Sequence, residues 1–304
     1  MLPREAIDAV LLRALDEDGM PPAWESAARR RSWGAAGQRI DLTSDFAIPD
    51  STQAQARLVA KAGGVVCGLP VFARALEACE PQAQIELLAR DGDRVTPGQV
   101  VLSVRGRARG LLFAERTGLN FVQRLSGVAS LTARYVALCA GRARVLDTRK
   151  TTPNLRMLEK YAVRCGGGVN HRFGLYDEAM VKNNHADLAG VALSDLLRKL
   201  RADLGPNVRI TSEARDEDEA LAGVAGDADV VLLDNMAPTE LAAIVPKLRA
   251  RARGRARPLE LEASGGITEL NVAAVAATGV DRISIGALTH SAPALDFSFY
   301  LQPV

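Results

Sequence analysis

A chain of 304 residues, 48% hydrophobic and 24% charged, is long enough to bury one large core and a second, smaller one, so two domains are expected. Its longest apolar runs, such as Val230–Leu233, fall far short of the roughly 20 residues that cross a bilayer. Met1–Val10 carries Arg4, Glu5 and Asp8 where an export signal would be apolar, so the expectation is a cytoplasmic protein that neither spans nor binds a membrane. The formal charge of +2 and the 4% aromatic content argue against nucleic acid as a partner, and four scattered cysteines without a CxxC pair argue against a zinc site.

In chain order, strands are predicted at Ala54–Lys61 and Val65–Cys67, a helix at Val71–Ala78, and strands at Gln84–Leu88 and Val100–Val104 around the turn Asp91–Gly98. This first part reads as an α+β arrangement. A long helical stretch, Gly110–Ala140 with a break near Gly127, leads into six βα units. Their strands are predicted at Ala143–Asp147, Ala179–Asn183, Val208–Ser212, Asp229–Asp234, Leu259–Ala263 and Asp281–Ile285. The helices between them are Leu155–Arg164, Leu188–Leu204, Glu217–Val224, Glu240–Ala252 and Glu269–Ala277. With only six lysines, arginine is the default solvating cation, and the run Arg251, Arg253, Arg255, Arg257 reads as an exposed loop.

Polar residues recur where these strands end. Thr148, Arg149 and Lys150 follow the first, Lys182 sits in the second, Glu213 follows the third and Asp234 ends the fourth. Ser264, Gly265 and Gly266 follow the fifth, and Gly286 the sixth. In a βα barrel these ends face one mouth. Arg149, Lys150, Arg172 and Lys182, with His171 as a further donor, would leave buried charge unpaired around a neutral ligand, so the ligand is expected to be a polyanion. Forked arginines suit a carboxylate, and compact lysines suit phosphate or pyrophosphate. The loops Ser264-Gly265-Gly266 and Gly286-Ala287 suit a sugar phosphate. Glu213 and Asp234 suit ribose hydroxyls, a Mg²⁺ shell or a developing oxocarbenium charge.

The motifs ERTGLNFVQRLSG (Glu115–Gly127), DTRKTTP (Asp147–Pro153), GGGVNHR (Gly166–Arg172), VKNNH (Val181–His185), LLDNM (Leu232–Met236), EASGGI (Glu262–Ile267) and SIGALTHSAPALDFS (Ser284–Ser298) together resemble the quinolinate phosphoribosyltransferase family, over nearly the whole chain. The resemblance implies an α/β protein with an N-terminal α/β sandwich domain of the α+β type, residues 1–130, and an incomplete, about six-stranded βα barrel, 131–288. A C-terminal tail, 289–304, would pack back on the first domain. It also implies a homodimer in which Arg116 reaches the neighbour's active site. Arg149, His171 and Arg172 would hold the two quinolinate carboxylates, and Lys150 and Lys182 would lie between quinolinate and the pyrophosphate of phosphoribosyl pyrophosphate. Glu213 and Asp234 would face ribose and Mg²⁺, with Ser264, Gly265, Gly266, Ile285, Gly286 and Ala287 about the 5-phosphate and Thr148 beside the cations. No organic cofactor is implied.

Three features depart from the family pattern: Asn183 stands where an acidic residue is usual, Thr211 where a glutamate is frequent, and Gly19–Gln38 is a longer Arg- and Ala-rich segment. Among rival readings, Gly92–Gly106 resembles the turn-rich strands of biotinyl or lipoyl carriers, but no lysine occurs between Lys61 and Lys150 to carry the group. A molybdenum-transport-associated relative would lack the set Asn170, His171, Arg172 and Lys182, all present here.

Overall fold

In the computed structural model, which describes residues 2–20 and 39–304, the chain divides into two compact units. The first comprises Met1–Leu131, Thr152–Gly166 and Ala292–Val304. Within it, β1 (Gln53–Ala60) buries Ala54, Ala56, Leu58 and Ala60 and exposes Gln53, Gln55 and Arg57, the period of two that one covered sheet face demands. β2 (Gly64–Val65) pairs with β4 (Arg94–Val95), while β3 (Gln84–Leu87), β5 (Val100–Arg107) and β12 (Phe297–Pro303) complete an antiparallel sheet in the order β12-β1-β5-β3. The C-terminal tail is thus a strand of the first unit's sheet. The helix Leu69–Cys79 sets Phe72 edge-on to Phe299 of β12, ring centroids 5.2 Å apart, and Arg74 forks onto Asp8 of the helix Arg4–Gly19 at 2.7 and 3.3 Å.

The helix Ala108–Cys139 runs unbroken through Gly127, where the sequence predicts an interruption. A Cβ at that position would fall 2.1 Å from the Pro293 carbonyl oxygen, so the glycine admits a neighbouring backbone and does not end the helix. The cysteines are less scattered than they read in sequence. Cys67, Asp91 and Cys165 converge with ligand atoms within 4.8 Å, and Asp91 already accepts from the Leu69 N–H at 3.0 Å and the Tyr161 hydroxyl at 3.0 Å. Burial pushes the Cys67 thiol well above its usual range.

The second unit, Thr132–Thr151 and Gly167–Ser291, contains β6 (Arg144–Leu146), β7 (Glu178–Val181), β8 (Arg209–Ala214), β9 (Val230–Asp234), β10 (Glu260–Ser264) and β11 (Arg282–Ser284). All pair in parallel, in the order β6-β11-β10-β9-β8-β7, with β6 and β7 left as edges, so the barrel is incomplete. Beside β6 the chain at Val169 forms an isolated parallel bridge to Leu146, and its N–H reaches the Val145 carbonyl at 2.8 Å. The near-continuous apolar run of β9, buried from Val230 to Leu233, is what a strand covered on both faces requires.

Two helical expectations and one loop expectation are corrected. The helix Arg156–Cys165 groups with the first unit, not with the barrel. Leu188–Leu204 is two helices, Asn183–Ala189 and Leu193–Leu204, because Gly190 takes a left-handed conformation (φ 64°) and closes the first. The arginine run is partly structural: Arg255 binds Asp227 at 2.8 Å and Arg257 binds Asp229 at 3.1 Å, both half-buried, so only part of it is a solvated loop. Residues 21–38 of the Arg- and Ala-rich segment, and the Asn183 side chain, lie outside the described residues.

The barrel interior is charged. Arg209 of β8 and Arg144 of β6 both contact Glu260 of β10, Arg282 lies 2.6 Å from Glu262, and the buried Thr211 hydroxyl donates to Glu178 at 2.6 Å. Arg209 and Glu260 stand two strands apart and still touch, so both project from the same concave face.

Candidate active site

At the C-terminal ends of these strands a cavity of about 600 Å³, within the usual range for small-ligand sites, collects Thr148, Arg149, Lys150, His171, Arg172, Lys182, Glu213, Asp234, Ser264, Gly265 and Gly266. Residues up to 136 positions apart in sequence, Thr148 and Ser284, converge because every parallel strand ends on the same side. Met180, Leu232, Asn235 and Ser284 also line it and were not singled out from sequence. Asn235 and Ser284 occupy the same strand-end positions as their chosen neighbours, and that signal was available. Met180 and Leu232 are apolar strand residues with no such signal.

Local geometry holds each group. Asp147, fully buried, accepts from Asn170 Nδ2 at 2.5 Å and from the His171 N–H at 2.9 Å, which pins the GGGVNHR segment beside β6. His171 Nδ1 accepts from the Arg172 N–H at 2.7 Å, and its Nε2 lies 3.4 Å from Glu262 Oε1. The Arg172 guanidinium donates to the Glu178 carbonyl at 3.2 Å and approaches the Met180 sulfur at 3.5 Å. His185 Nδ1 accepts the Lys182 N–H at 2.9 Å, giving the histidine of VKNNH a structural use. Lys150 is fixed through its backbone: its N–H donates to Thr148 Oγ1 at 3.0 Å and its carbonyl accepts from Thr289 Oγ1 at 2.8 Å.

Gly265 is required twice over. Its φ of +86° belongs to the left-handed region, and a Cβ there would fall 2.2 Å from Asn235 Oδ1. That closeness ties the loop after β10 to the end of β9, where the Asn235 N–H donates to the Ser264 carbonyl at 2.8 Å.

Four cations face two carboxylates in this mouth, leaving an excess of positive charge. Burial lowers the Arg172 pKa, and neighbouring Arg149 lowers it further. Burial and then the charge of Glu213 raise the Asp234 pKa, against the Asn235 hydrogen bond and the charges of Lys182 and Lys150. Lys182 Nζ meets Glu213 Oε2 at 2.8 Å. Two carboxylates that repel each other at neighbouring strand ends are a fitting oxygen donor set for a hard divalent cation.

Four expected site residues do not line this cavity. Ile285 is buried and donates its N–H to the Leu146 carbonyl at 2.9 Å, fastening β11 to β6. Gly286 precedes the four-residue helix that starts at Ala287, and a Cβ on it would sit 3.0 Å from Lys150 Cδ. Arg116 belongs to the first unit, where it borders a separate cavity of about 350 Å³ with Asp18, Thr117, Asn120 and Phe121.

Comparison with known proteins agrees over the chain's length. The model of the quinolinate phosphoribosyl transferase N-terminal domain matches residues 41–126, and that of the C-terminal domain matches 128–300. The chain is 42% identical to a probable nicotinate-nucleotide pyrophosphorylase [carboxylating] of Synechocystis over 81% of its own length and 82% of the relative's. It is 41% identical to one of Bacillus subtilis over 85% and 86%. The crystal structure of NadC from Streptococcus pyogenes superimposes with a TM-score of 0.87 at 35% identity, covering 100% of this chain and 99% of that one.

Proposed function

The chain belongs to the quinolinate phosphoribosyltransferase family, and on that premise we propose that the cationic mouth joins quinolinate to phosphoribosyl pyrophosphate, giving nicotinate mononucleotide, pyrophosphate and CO₂ for de novo NAD biosynthesis. The observation that carries this reading is the convergence of Arg149, Lys150, Arg172 and Lys182 in one cavity whose other wall is the Ser264-Gly265-Gly266 loop. Two polyanions must approach each other there, and the cations offset a repulsion that would otherwise keep the ring nitrogen from ribose C1. Arg149 and Arg172 hold the dicarboxylate with forked donors, and Lys150 and Lys182 hold the pyrophosphate. Glu213 and Asp234 face the ribose.

The nitrogen–C1 bond forms as the C1–oxygen bond to pyrophosphate breaks. The ring nitrogen is then positively charged and stabilises the electron pair left at C2 when the C2–carboxylate bond breaks, and a proton replaces CO₂. Glu213 and Asp234 are also the residues that would hold Mg²⁺, directly or through water or the pyrophosphate, and bound there it would offset leaving-group charge. No organic cofactor enters.

A homodimer with shared sites fits this reading, because Arg116 lies in the first unit and would complete the mouth of a second copy. The direct test supplies the purified protein with quinolinate, phosphoribosyl pyrophosphate and Mg²⁺, with nicotinate in a parallel reaction. CO₂ and nicotinate mononucleotide from quinolinate are expected; turnover of nicotinate alone would overturn the assignment. Arg149→Ala and Arg172→Ala should each weaken quinolinate binding about 10- to 100-fold in calorimetry, the range for losing a charge-assisted hydrogen bond.

A further inference from the structure

Below the mouth, the barrel interior holds a carboxylate that the reaction does not use. Glu262 lies within β10 and is fully buried. Arg282 of β11, 4% exposed, brings its Nε to 2.6 Å from Glu262 Oε2, and His171 brings Nε2 to 3.4 Å from Oε1. Burial pushes the Glu262 pKa up, but His171 and Arg282 outweigh it and hold the group below the usual glutamate range, so it is an anion at neutral pH.

The His171 ring is therefore read from both sides. Its Nδ1 accepts the Arg172 N–H at 2.7 Å, which places the ring proton on Nε2, the atom facing Glu262. A ring held at one nitrogen alone could swing about its side-chain bonds; with Nδ1 bonded and Nε2 facing the Glu262 carboxylate at 3.4 Å, it fixes where the Arg172 backbone begins. The Arg172 guanidinium itself has longer contacts, 3.2 Å to a carbonyl and 3.5 Å to a thioether sulfur, so its pose leans on that backbone anchor.

We propose that Glu262, clamped by Arg282, is a positioning residue for the reaction: it holds the orientation of the His171 ring and, through the Arg172 N–H, the place of the Arg172 guanidinium in the mouth. The inference deepens the functional reading above and rests on Arg172 as a quinolinate-binding cation. Outer partners of this kind hold a histidine's tautomer and orientation in metal sites, where removing them costs about 10- to 100-fold.

The test compares the wild type, Arg172→Ala, Glu262→Gln and the double variant, measuring quinolinate affinity by calorimetry and KM for phosphoribosyl pyrophosphate. Glu262→Gln should weaken quinolinate about tenfold or more while the second KM stays within about twofold. In the Arg172→Ala background the same change should cost nothing further. Unchanged quinolinate affinity, equal loss for both substrates, or additive losses would each overturn the relay. Should Arg172→Ala itself bind quinolinate normally, the substrate assignment of Arg172 fails and takes the relay with it.

If Glu262→Gln does not fold, Arg282→Lys, which keeps a cation beside Glu262, carries the same comparison. The chain has only three histidines, so ¹⁵N ring shifts can be assigned. His171 should carry its proton on Nε2, the atom facing Glu262; a proton found on Nδ1 instead would overturn the proposal.

Discussion

Asp234 lines the cationic mouth in surroundings that oppose its charge. Burial and Glu213 raise its pKa, so the folded protein resists its ionisation. The sign follows from linkage: between the ordinary aspartate value of 3.8 and the raised folded value the native state holds more protons, and stability falls as pH rises through that window. Asp234→Asn should therefore unfold at a higher urea midpoint than the wild type at pH 7, with the gain fading below about pH 4, while turnover collapses. Equal midpoints at pH 7 would contradict the stated environment. Such trade-offs are common where function needs a charge that folding resists. The strand-end position of Asp234 was legible from sequence. Its repulsion by Glu213 was not, because it depends on the register of two strands.

At the scale of elements, glycines and caps decide the outcome. In an ordinary helix interior Gly127→Ala would stabilise by up to about 1 kcal/mol. Here the Pro293 carbonyl would meet the new methyl at 2.1 Å, so the clash wins and a loss of about 1–3 kcal/mol is expected in urea unfolding. Asp41 caps the helix Leu42–Ala47, accepting from the Thr43 and Ser44 N–H groups at 2.9 and 3.0 Å. Burial raises its pKa, but hydrogen bonds from Ser44 and Thr43 bring it net below 3.8. The cap is therefore present above that value and lost as pH falls through the folded pKa. Asp41→Ala should cost about 1 kcal/mol at pH 7 in urea unfolding, and progressively less as the pH falls below 3.8 and through the lowered folded pKa. The alternating β1 and the apolar β9 were legible because burial imposes their periods. The unbroken helix at Gly127 was not, since the carbonyl it admits comes from a segment more than 160 residues later.

For the molecule as a whole, the prediction concerns two copies. If Arg116 completes the partner's mouth, mixing Arg116→Ala with Lys150→Ala subunits should restore activity in one of the two sites of the mixed dimer, up to about a quarter of wild-type turnover. No recovery after verified subunit exchange would count against a shared site. The sequence by itself determined the six parallel strands and the polar residues at their ends, and pointed to a polyanionic ligand, because periodicity and charge are local properties of a chain. Only the tertiary structure decided that Asp147 and Glu262 approach His171 from two directions, that Cys67 and Cys165 meet around Asp91, and that Ile285, Gly286 and Ala287 stand outside the cavity wall. Those facts depend on strand register and on contacts between residues far apart in the chain, which no local pattern encodes.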